Sequence, residues 1–400
     1  MKKLLFVINT MGQAGAETAL LEVLKKLEGC GHEVFLYVLM GQGEMMGQLP
    51  SEVRLLNRNF STMSVLSGAG RRRMARTVCR AFFRNGGCWR KLCCLAKVFA
   101  SMARGGRIRI SKLLWRIVSD GTVRFDTTFD GAVAWLEGGS AYYVAEHVKA
   151  VKKTAFIHID YENAGYTREM DRDCWREFDQ IFAVSGEVRE HFLEFYPAYR
   201  YKTGILYNML DEERIRKRAG EPGGFTDAYD GMRLVSVGRL SWQKGYDIAV
   251  EAMKLLKDSG YRLRWYVLGE GDQRGRLEKK IRALGLKEDF ILLGALENPY
   301  PYYVQGDIYV HTARFEGRSI AVQEARILGC AIVATDCSGN REEITHGKDG
   351  ILCGLSARAV ADAVAALIDD DERRMALGRE AGKTRLPEGK RTEELTDIFL

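Results

Sequence analysis

Two glutamates eight residues apart frame the segment Phe315-Glu316-Gly317-Arg318-Ser319-Ile320-Ala321-Val322-Gln323-Glu324-Ala325. One carboxylate falls in a loop and the other in the first turns of a helix. Ser319 is placed to cap that helix. The peptide N–H groups of Ser319, Ile320 and Ala321 would then face an anion. Such a segment can hold a phosphate at the helix start and sugar hydroxyls on both carboxylates. The alternative is a solvated Glu324 and a Glu316 that merely shapes a turn; the small apolar residues around them weigh against it. Upstream, Arg239 and Lys244 in Gly238-Arg239-Leu240-Ser241-Trp242-Gln243-Lys244-Gly245-Tyr246-Asp247 are two cations ahead of a helix. A planar guanidinium fork and an ammonium point charge suit a diphosphate, although two surface cations would look the same. Gly269-Glu270-Gly271-Asp272 would let a base or ribose approach the backbone, a weak signal by itself. Gly12-Gln13-Ala14-Gly15 permits a tight turn into a helix whose N–H groups could meet an anion, or an ordinary strand-to-helix turn. It is not G-x-G-x-x-G, which disfavours a dinucleotide. His158, in Ile157-His158-Ile159-Asp160, stands at another strand end. Its position favours a role with substrate over a structural one; the other five histidines have no matching context.

These residues share a position. Strand-like runs at Lys3–Asn9, Glu33–Leu39, Gly131–Trp135, Thr154–His158, Gln180–Val184 and Ile205–Tyr207 alternate with helical patterns. After a charged, glycine-containing stretch the alternation restarts at Arg233–Val237, Arg264–Leu268, Phe290–Leu293, Ile308–His311 and Ala331–Thr335. Alternation of this kind predicts α/β architecture, two doubly wound parallel sheets facing a central cleft, with ligands beyond the carboxyl ends of the strands. The chemistry-bearing residues come just after those strands. The expected organisation is a first domain over 1–208 with an insert at 71–119, a linker over 209–230, a second domain over 231–385 and a terminal helix within 386–400 that returns to the first domain.

The 400 residues, 46% hydrophobic and 28% charged, exclude a disordered chain, a collagen-like repeat and a small disulfide scaffold. No apolar run near the start approaches the roughly 20 residues of a membrane span. Nine cysteines without a Cys-x-x-Cys pair read as reduced cytosolic thiols. Net charge is +7, yet residues 71–119 hold 14 Lys/Arg and no Asp/Glu, so the remainder is −7. Apolar residues interleave with these cations at spacings of three and four: Met74, Val78, Phe82 and Phe83, then Trp89, Leu92, Leu95, Val98 and Phe99, then Ile108, Ile110, Leu113, Leu114 and Ile117. Basic amphipathic helices are expected, broken at Asn85-Gly86-Gly87 and Gly105-Gly106, and they suit an anionic membrane surface. A solvated cationic face over a packed stripe is the competing reading, and nucleic acid a third without a motif.

Taken in order, these motifs resemble the retaining glycosyltransferases of family 4, which have the GT-B fold of two Rossmann-like domains. Glu316-x7-Glu324 carries the resemblance. Support comes from Gly238-Arg239-Leu240 with Lys244-Gly245-Tyr246-Asp247, Asn298-Pro299-Tyr300-Pro301-Tyr302 ahead of Asp307, Gly339-Asn340-Arg341-Glu342, Gly15-Ala16-Glu17, Val184-Ser185 and Tyr207-Asn208. The tyrosine-proline run is similar to members that build bacterial cell-surface polysaccharides. The resemblance implies a nucleotide-diphosphate sugar as substrate, UDP foremost, with no cofactor and no metal. Arg239 and Lys244 would hold the diphosphate, Glu324 the ribose and Glu316 the donor hexose, with Gly269, Glu270, Gly317, Ser319, Ile320 and Ala321 around them. His158 would contact the transferred sugar. The loop Gly12, Gln13, Ala14, Gly15 would approach phosphates or acceptor. The acceptor would be a glycan or lipid-linked molecule reached from the cytoplasmic side, with residues 71–119 on the inner membrane face. Two positions depart from the family: Arg318-Ser319 replaces a common x-Pro, and Ala313 stands where a serine is often found. Arg318 would add a cation that touches donor or acceptor.

The implied chemistry is departure of a nucleotide diphosphate as an acceptor hydroxyl attacks the anomeric carbon, with the cations stabilising the leaving charge. Two rivals remain at this level: a nucleotide-sugar epimerase of the same architecture, which needs no acceptor, and a non-catalytic membrane-surface adaptor driven by residues 71–119.

Overall fold

The structure is a computed structural model that describes residues 1–85, 88–104, 110–383 and 391–400. The chain divides into two compact units, one of Met1–Met209 with Gly389–Leu400 and one of Leu210–Glu388. In the first, seven parallel strands form one sheet: β1 (Lys3–Ile8), β2 (Glu33–Val38), β3 (Arg54–Leu55), β4 (Thr128–Ala134), β5 (Lys149–Ile157), β6 (Gln180–Ala183) and β7 (Thr203–Ile205), in the order β3-β2-β1-β4-β5-β6-β7. In the second, six parallel strands obey the same logic: β8 (Met232–Val237), β9 (Leu263–Leu268), β10 (Phe290–Gly294), β11 (Ile308–His311), β12 (Ile332–Thr335) and β13 (Ile351–Cys353), in the order β10-β9-β8-β11-β12-β13. Leu4 through Ile8 are all buried, as a strand covered by helices on both faces requires. Order reverses between β1 and β4 and between β8 and β11. These switch points open a crevice at the strands' carboxyl ends.

The strand pattern read from sequence recurs within a few residues at each end, except that β3 and β13 escaped it. At two and three residues they carry no periodicity and exist only through pairing with β2 and β12. The stretch 209–230, expected as a linker, contains the helix Glu212–Ala219, capped by Asp211 and burying Ile215 in the second unit. The terminal helix Thr392–Phe399 lies on the first unit's sheet: Phe399 is fully buried, its ring 5.4 Å from Phe6. The boundary expected at 385/386 lies outside the described residues.

The basic insert forms helices Gly68–Phe83, Cys88–Arg104 and Ile110–Gly121. Of the expected breaks, Asn85 is described and takes a left-handed φ of 61°, whereas Gly86, Gly87, Gly105 and Gly106 lie outside the described residues. Its cations do not all face outward. The Lys91 ammonium donates to the carbonyls of Ala81, Phe82 and Arg84 at 2.9, 3.0 and 2.7 Å, satisfying the end of the preceding helix. Arg116 is buried over the Tyr142 ring and donates to the carbonyls of Met170 and Asp171 and to the Glu146 carboxylate. Lys112 donates to the Tyr166 hydroxyl at 2.9 Å. The apolar residues divide likewise: Val98 is buried, while Phe83, Trp89, Leu92 and Phe99 are exposed. The apolar residues spaced by three and four are therefore divided between a packed face and an exposed one. No helix among the described residues is long and apolar enough to cross a membrane.

Candidate active site

β8 and β11 are neighbours in register, with Ile308 opposite Leu234 and Tyr309 opposite Val235. The loops that leave their carboxyl ends must therefore meet. Gly245 makes the meeting close: it adopts φ +65°, and a Cβ there would stand 2.1 Å from the Thr312 carbonyl oxygen. The Thr312 hydroxyl donates to the Lys244 carbonyl at 2.9 Å, and the Arg314 N–H donates to the Gln243 carbonyl at 2.8 Å. The Arg314 guanidinium grips Asp247 through two bonds of 2.8 and 2.7 Å, which spends Asp247 on holding the loops together.

This stitching brings Lys244 Nζ to 2.5 Å from Glu316 Oε1. Glu316 is buried. Burial alone would push its carboxyl pKa up, but the Lys244 charge and His311 outweigh that and hold it down at about 2. Glu316 is an anionic acceptor at neutral pH. His311 Nε2 lies 3.4 Å from the same oxygen. The imidazole is kept neutral by burial and by the nearby ammonium. Sequence reasoning passed over His311, because a histidine that ends an apolar strand reads as core; its one signal was its place at the carboxyl end of a switch strand.

The loop at Glu316 is backed by the short helix Ser338–Glu343. The Ser338 hydroxyl donates to the Glu316 carbonyl at 3.0 Å, and a Cβ at Gly339 would come 2.7 Å from the Gly317 oxygen. Arg318 does not turn toward this site as expected. It ion-pairs with buried Glu343, which also binds Arg326. Ser319 occupies the N-cap position of helix Ile320–Ile327 with an extended backbone, yet its hydroxyl makes no capping hydrogen bond to the helix. Ile320 and Ala321 come next, in the first turn, where the N–H groups have no intrahelical acceptor.

Glu324 is buried one helical turn further on. Tyr300 and Tyr303 donate to its two oxygens at 2.9 and 3.1 Å. Burial pushes its pKa up to about 7 against the pull of both hydroxyls. Arg239 is exposed and makes no ion pair with a described residue. Gly269 packs on the Gly238 carbonyl, where a Cβ would stand 2.0 Å from the oxygen, so the ends of β8 and β9 touch. The Glu270 side chain is held by Arg274 at 2.6 Å.

In the first unit, His158 lies just beyond β5. Its N–H donates to Glu137 Oε2 at 3.0 Å, and its ring lies 5.4 Å from Trp135. Burial pushes its pKa down to about 3, so the imidazole is neutral. Glu137, which the sequence reading missed, lies just beyond switch strand β4; the adjacent Gly138, at φ +77°, was its available signal. Gly12 is buried against Val65, Gln13 and Gly15 are exposed, and Ala14 is the N-cap of helix Gly15–Lys26. The first turn of that helix already carries a carboxylate: buried Glu17 accepts from the Thr10 hydroxyl at 3.2 Å. An anion there would have to share the position. Among the described residues, one group of metal-ligating type comes together, Asp120, Glu146 and His147. Arg116 and Arg172 already pair with its carboxylates.

The family model described as glycosyl transferases group 1 matches residues 229–384, which contain both loops and both glutamates. The N-acetylgalactosamine-N,N'-diacetylbacillosaminyl-diphospho-undecaprenol 4-alpha-N-acetylgalactosaminyltransferase of Campylobacter jejuni is 33% identical over 62% of this chain and 62% of its own length. The chain therefore spans less than two thirds of that relative. The 2-deoxystreptamine N-acetyl-D-glucosaminyltransferase of Niallia circulans is 29% identical over 61% of this chain and 72% of its own. Among solved structures, Alr3699/HepE of Anabaena, in complex with UDP and glucose, superposes with a TM-score of 0.64 at 16% identity over 96% of this chain and 94% of that one. Residues 229–384 thus match the glycosyl transferases group 1 family model, and the fold of the chain is GT-B.

Proposed function

We propose that this protein transfers a sugar from a nucleotide-diphosphate sugar, with UDP as the nucleotide, to a glycan or lipid-linked acceptor in cell-surface polysaccharide synthesis. The observation that carries the reading is the Lys244–Glu316–His311 cluster at the β8/β11 switch point, one helical segment from buried Glu324. An ammonium has three donors. Lys244 keeps donors beyond the one on Glu316, and in this reading it takes the leaving diphosphate together with exposed Arg239. Charge grows on that group as the glycosidic bond breaks, so fixed cations in a partly buried site lower the barrier. Anionic Glu316 accepts hydroxyls of the transferred sugar. Glu324, when ionised, accepts ribose hydroxyls. His158 contacts the sugar as a neutral donor or acceptor.

Transfer proceeds with retention by front-face attack guided by the leaving group, without a metal or a protein nucleophile; a glycosyl adduct on Glu316 would replace that step with a covalent one. UDP is favoured by the UDP complex of the Anabaena neighbour, and the lipid-linked acceptor by the undecaprenol relative's name. Exposed Phe83, Trp89, Leu92 and Phe99 among exposed arginines support peripheral contact of residues 71–119 with an anionic membrane on the cytoplasmic side.

Calorimetric titration with UDP, GDP and ADP in chelator, and then transfer assays on undecaprenyl-diphosphate-linked sugars, test the reading. Selective binding of UDP and acceptor-dependent release of UDP are expected. Conversion of the donor without acceptor would make it an epimerase, and failure to bind all three nucleotides would overturn the proposal.

A further inference from the structure

Helix Tyr300–Gln305 places Tyr300 and Tyr303 three residues apart, on one face. Both hydroxyls reach Glu324, one at each carboxylate oxygen, and the Tyr303 hydroxyl shares its single proton with the Ala321 carbonyl at 3.2 Å. The tyrosines are themselves anchored. Asn298, just ahead of the helix, donates to the Arg218 carbonyl and to Glu221, both at 2.9 Å. Arg218 lies over the Tyr300 ring at 5.7 Å. Tyr303 stacks on Tyr309 with centroids 5.1 Å apart. The stretch 209–230 thus supplies, through Arg218 and Glu221, the outer support of this carboxylate.

We infer that Tyr300 and Tyr303 are positioning residues for Glu324, holding its carboxylate ionised and in one plane so that its free acceptor sites take the two vicinal hydroxyls of the donor's ribose. The inference rests on the proposed function. Each carboxylate oxygen accepts two hydrogen bonds. One site on each is filled by a tyrosine, and one on each remains, which matches in number the two hydroxyls of a vicinal diol. Burial favours the protonated acid, which would lose an acceptor and present a hydrogen instead; the two phenol donors oppose it. The other charged and titratable groups that face Glu324 are Arg214 and Arg218 of helix Glu212–Ala219, which favour the anion, and Tyr309 of β11, buried and neutral. The α-helix neighbour Arg326 is occupied by Glu343 and Asp349.

The test is titration of the full chain with UDP and with 2′,3′-dideoxy-UDP between pH 6 and pH 8.5, for the wild type, Tyr300→Phe, Tyr303→Phe, the double variant and Glu324→Gln. Phenylalanine keeps both rings, and thermal melting monitors the fold. The wild type should prefer UDP to the dideoxy analogue and lose that preference as pH falls. The double variant should lose about tenfold of the preference at pH 7 and regain it toward pH 8.5. In the Glu324→Gln background the tyrosine substitutions should add nothing, because all three act as one unit. An unchanged preference and pH profile in the double variant, with the wild type binding UDP, would overturn this inference alone. A wild type that binds UDP without preferring it to the dideoxy analogue overturns it too. A wild type that binds neither UDP, GDP nor ADP overturns it together with the proposed function.

Discussion

Tyr309 stacks on His311, ring planes 19° apart, and its hydroxyl reaches His311 Nδ1 at 3.4 Å. Its Nε2 faces Glu316 Oε1 at 3.4 Å, so the neutral ring lies between a carboxylate and a phenol. Because Tyr309 also stacks on Tyr303, the rings of Tyr303, Tyr309 and His311 form a continuous line from Glu324 to Glu316. His311→Phe should lower turnover on the order of tenfold by removing the polar ring nitrogen that faces the Glu316 carboxylate. Tyr309→Phe, which keeps the stack, should cost only a few-fold. Steady-state assays with saturating donor separate the two; equal, large losses would mean the strand itself has been disturbed.

Arg239→Ala and Lys244→Ala should each reduce turnover by about 10²- to 10³-fold while circular dichroism remains that of the wild type. Lys244→Ala should also melt earlier, since it strips buried Glu316 of its counter-charge. Near-normal turnover in both variants would remove the cations from the mechanism.

Glu324 sets a pH dependence whose sign is fixed by its burial. Its folded pKa, about 7, lies above the ordinary 4.5. The folded state therefore holds the extra proton between these values, and stability attributable to this group is lost as pH rises through 7. Glu324→Gln should be up to about 3 kcal/mol more stable than the wild type at pH 8 and nearly equal at pH 4.5. Denaturant melts at the two pH values check this; an equal difference at both would assign the gain to packing. Donor affinity runs the other way, falling below pH 7 in the wild type.

His158, by contrast, should not titrate near neutrality. With its pKa at about 3, the imidazolium forms only in strong acid. Its NMR ring resonances should stay fixed from pH 5 to pH 8, so an acid limb near pH 7 in the rate profile belongs to Glu324. A midpoint near 6.5 for His158 would contradict the buried environment described for it.

Two arginines of the basic segment should behave as opposites. Arg116→Ala removes a buried guanidinium that serves two carbonyls and a carboxylate, and should cost about 3 kcal/mol. Arg76 is exposed, and Arg76→Ala should leave the melting temperature alone while weakening sedimentation with anionic vesicles severalfold in low salt. Vesicle binding indifferent to Arg76, Trp89 and salt together would remove the membrane from the proposal.

Much of this was legible in the residues because strands have a period and ligands gather at strand ends. Six strands of the first series and five of the second stand out as apolar runs, and Lys244, Glu316 and Glu324 stand in the loops and first helical turns just beyond strand carboxyl ends. Side-chain direction was not legible. Nothing in the spacing says that Arg318 turns to Glu343, that Lys91 and Arg116 turn inward while Arg76 turns out, or that Ser319 holds a cap position without capping. His311 and the Tyr300/Tyr303 pair were hidden for a related reason: in one dimension they are a core strand and a tyrosine-rich run, and only the packing of Tyr300–Gln305 against Ile320–Ile327 gives them work.

The helix Thr392–Phe399 has a mechanical consequence. Because it seats Phe399 against Phe6 and Phe156, the first and last described elements of the chain are laid on the same sheet. Tension applied between residues 3 and 399 would be borne first by that helix and strand β1, and the second unit would feel no load until this latch had peeled away. In a force-extension experiment with handles at those positions, an early rupture should release the terminal helix while the second unit still holds its full contour length in reserve.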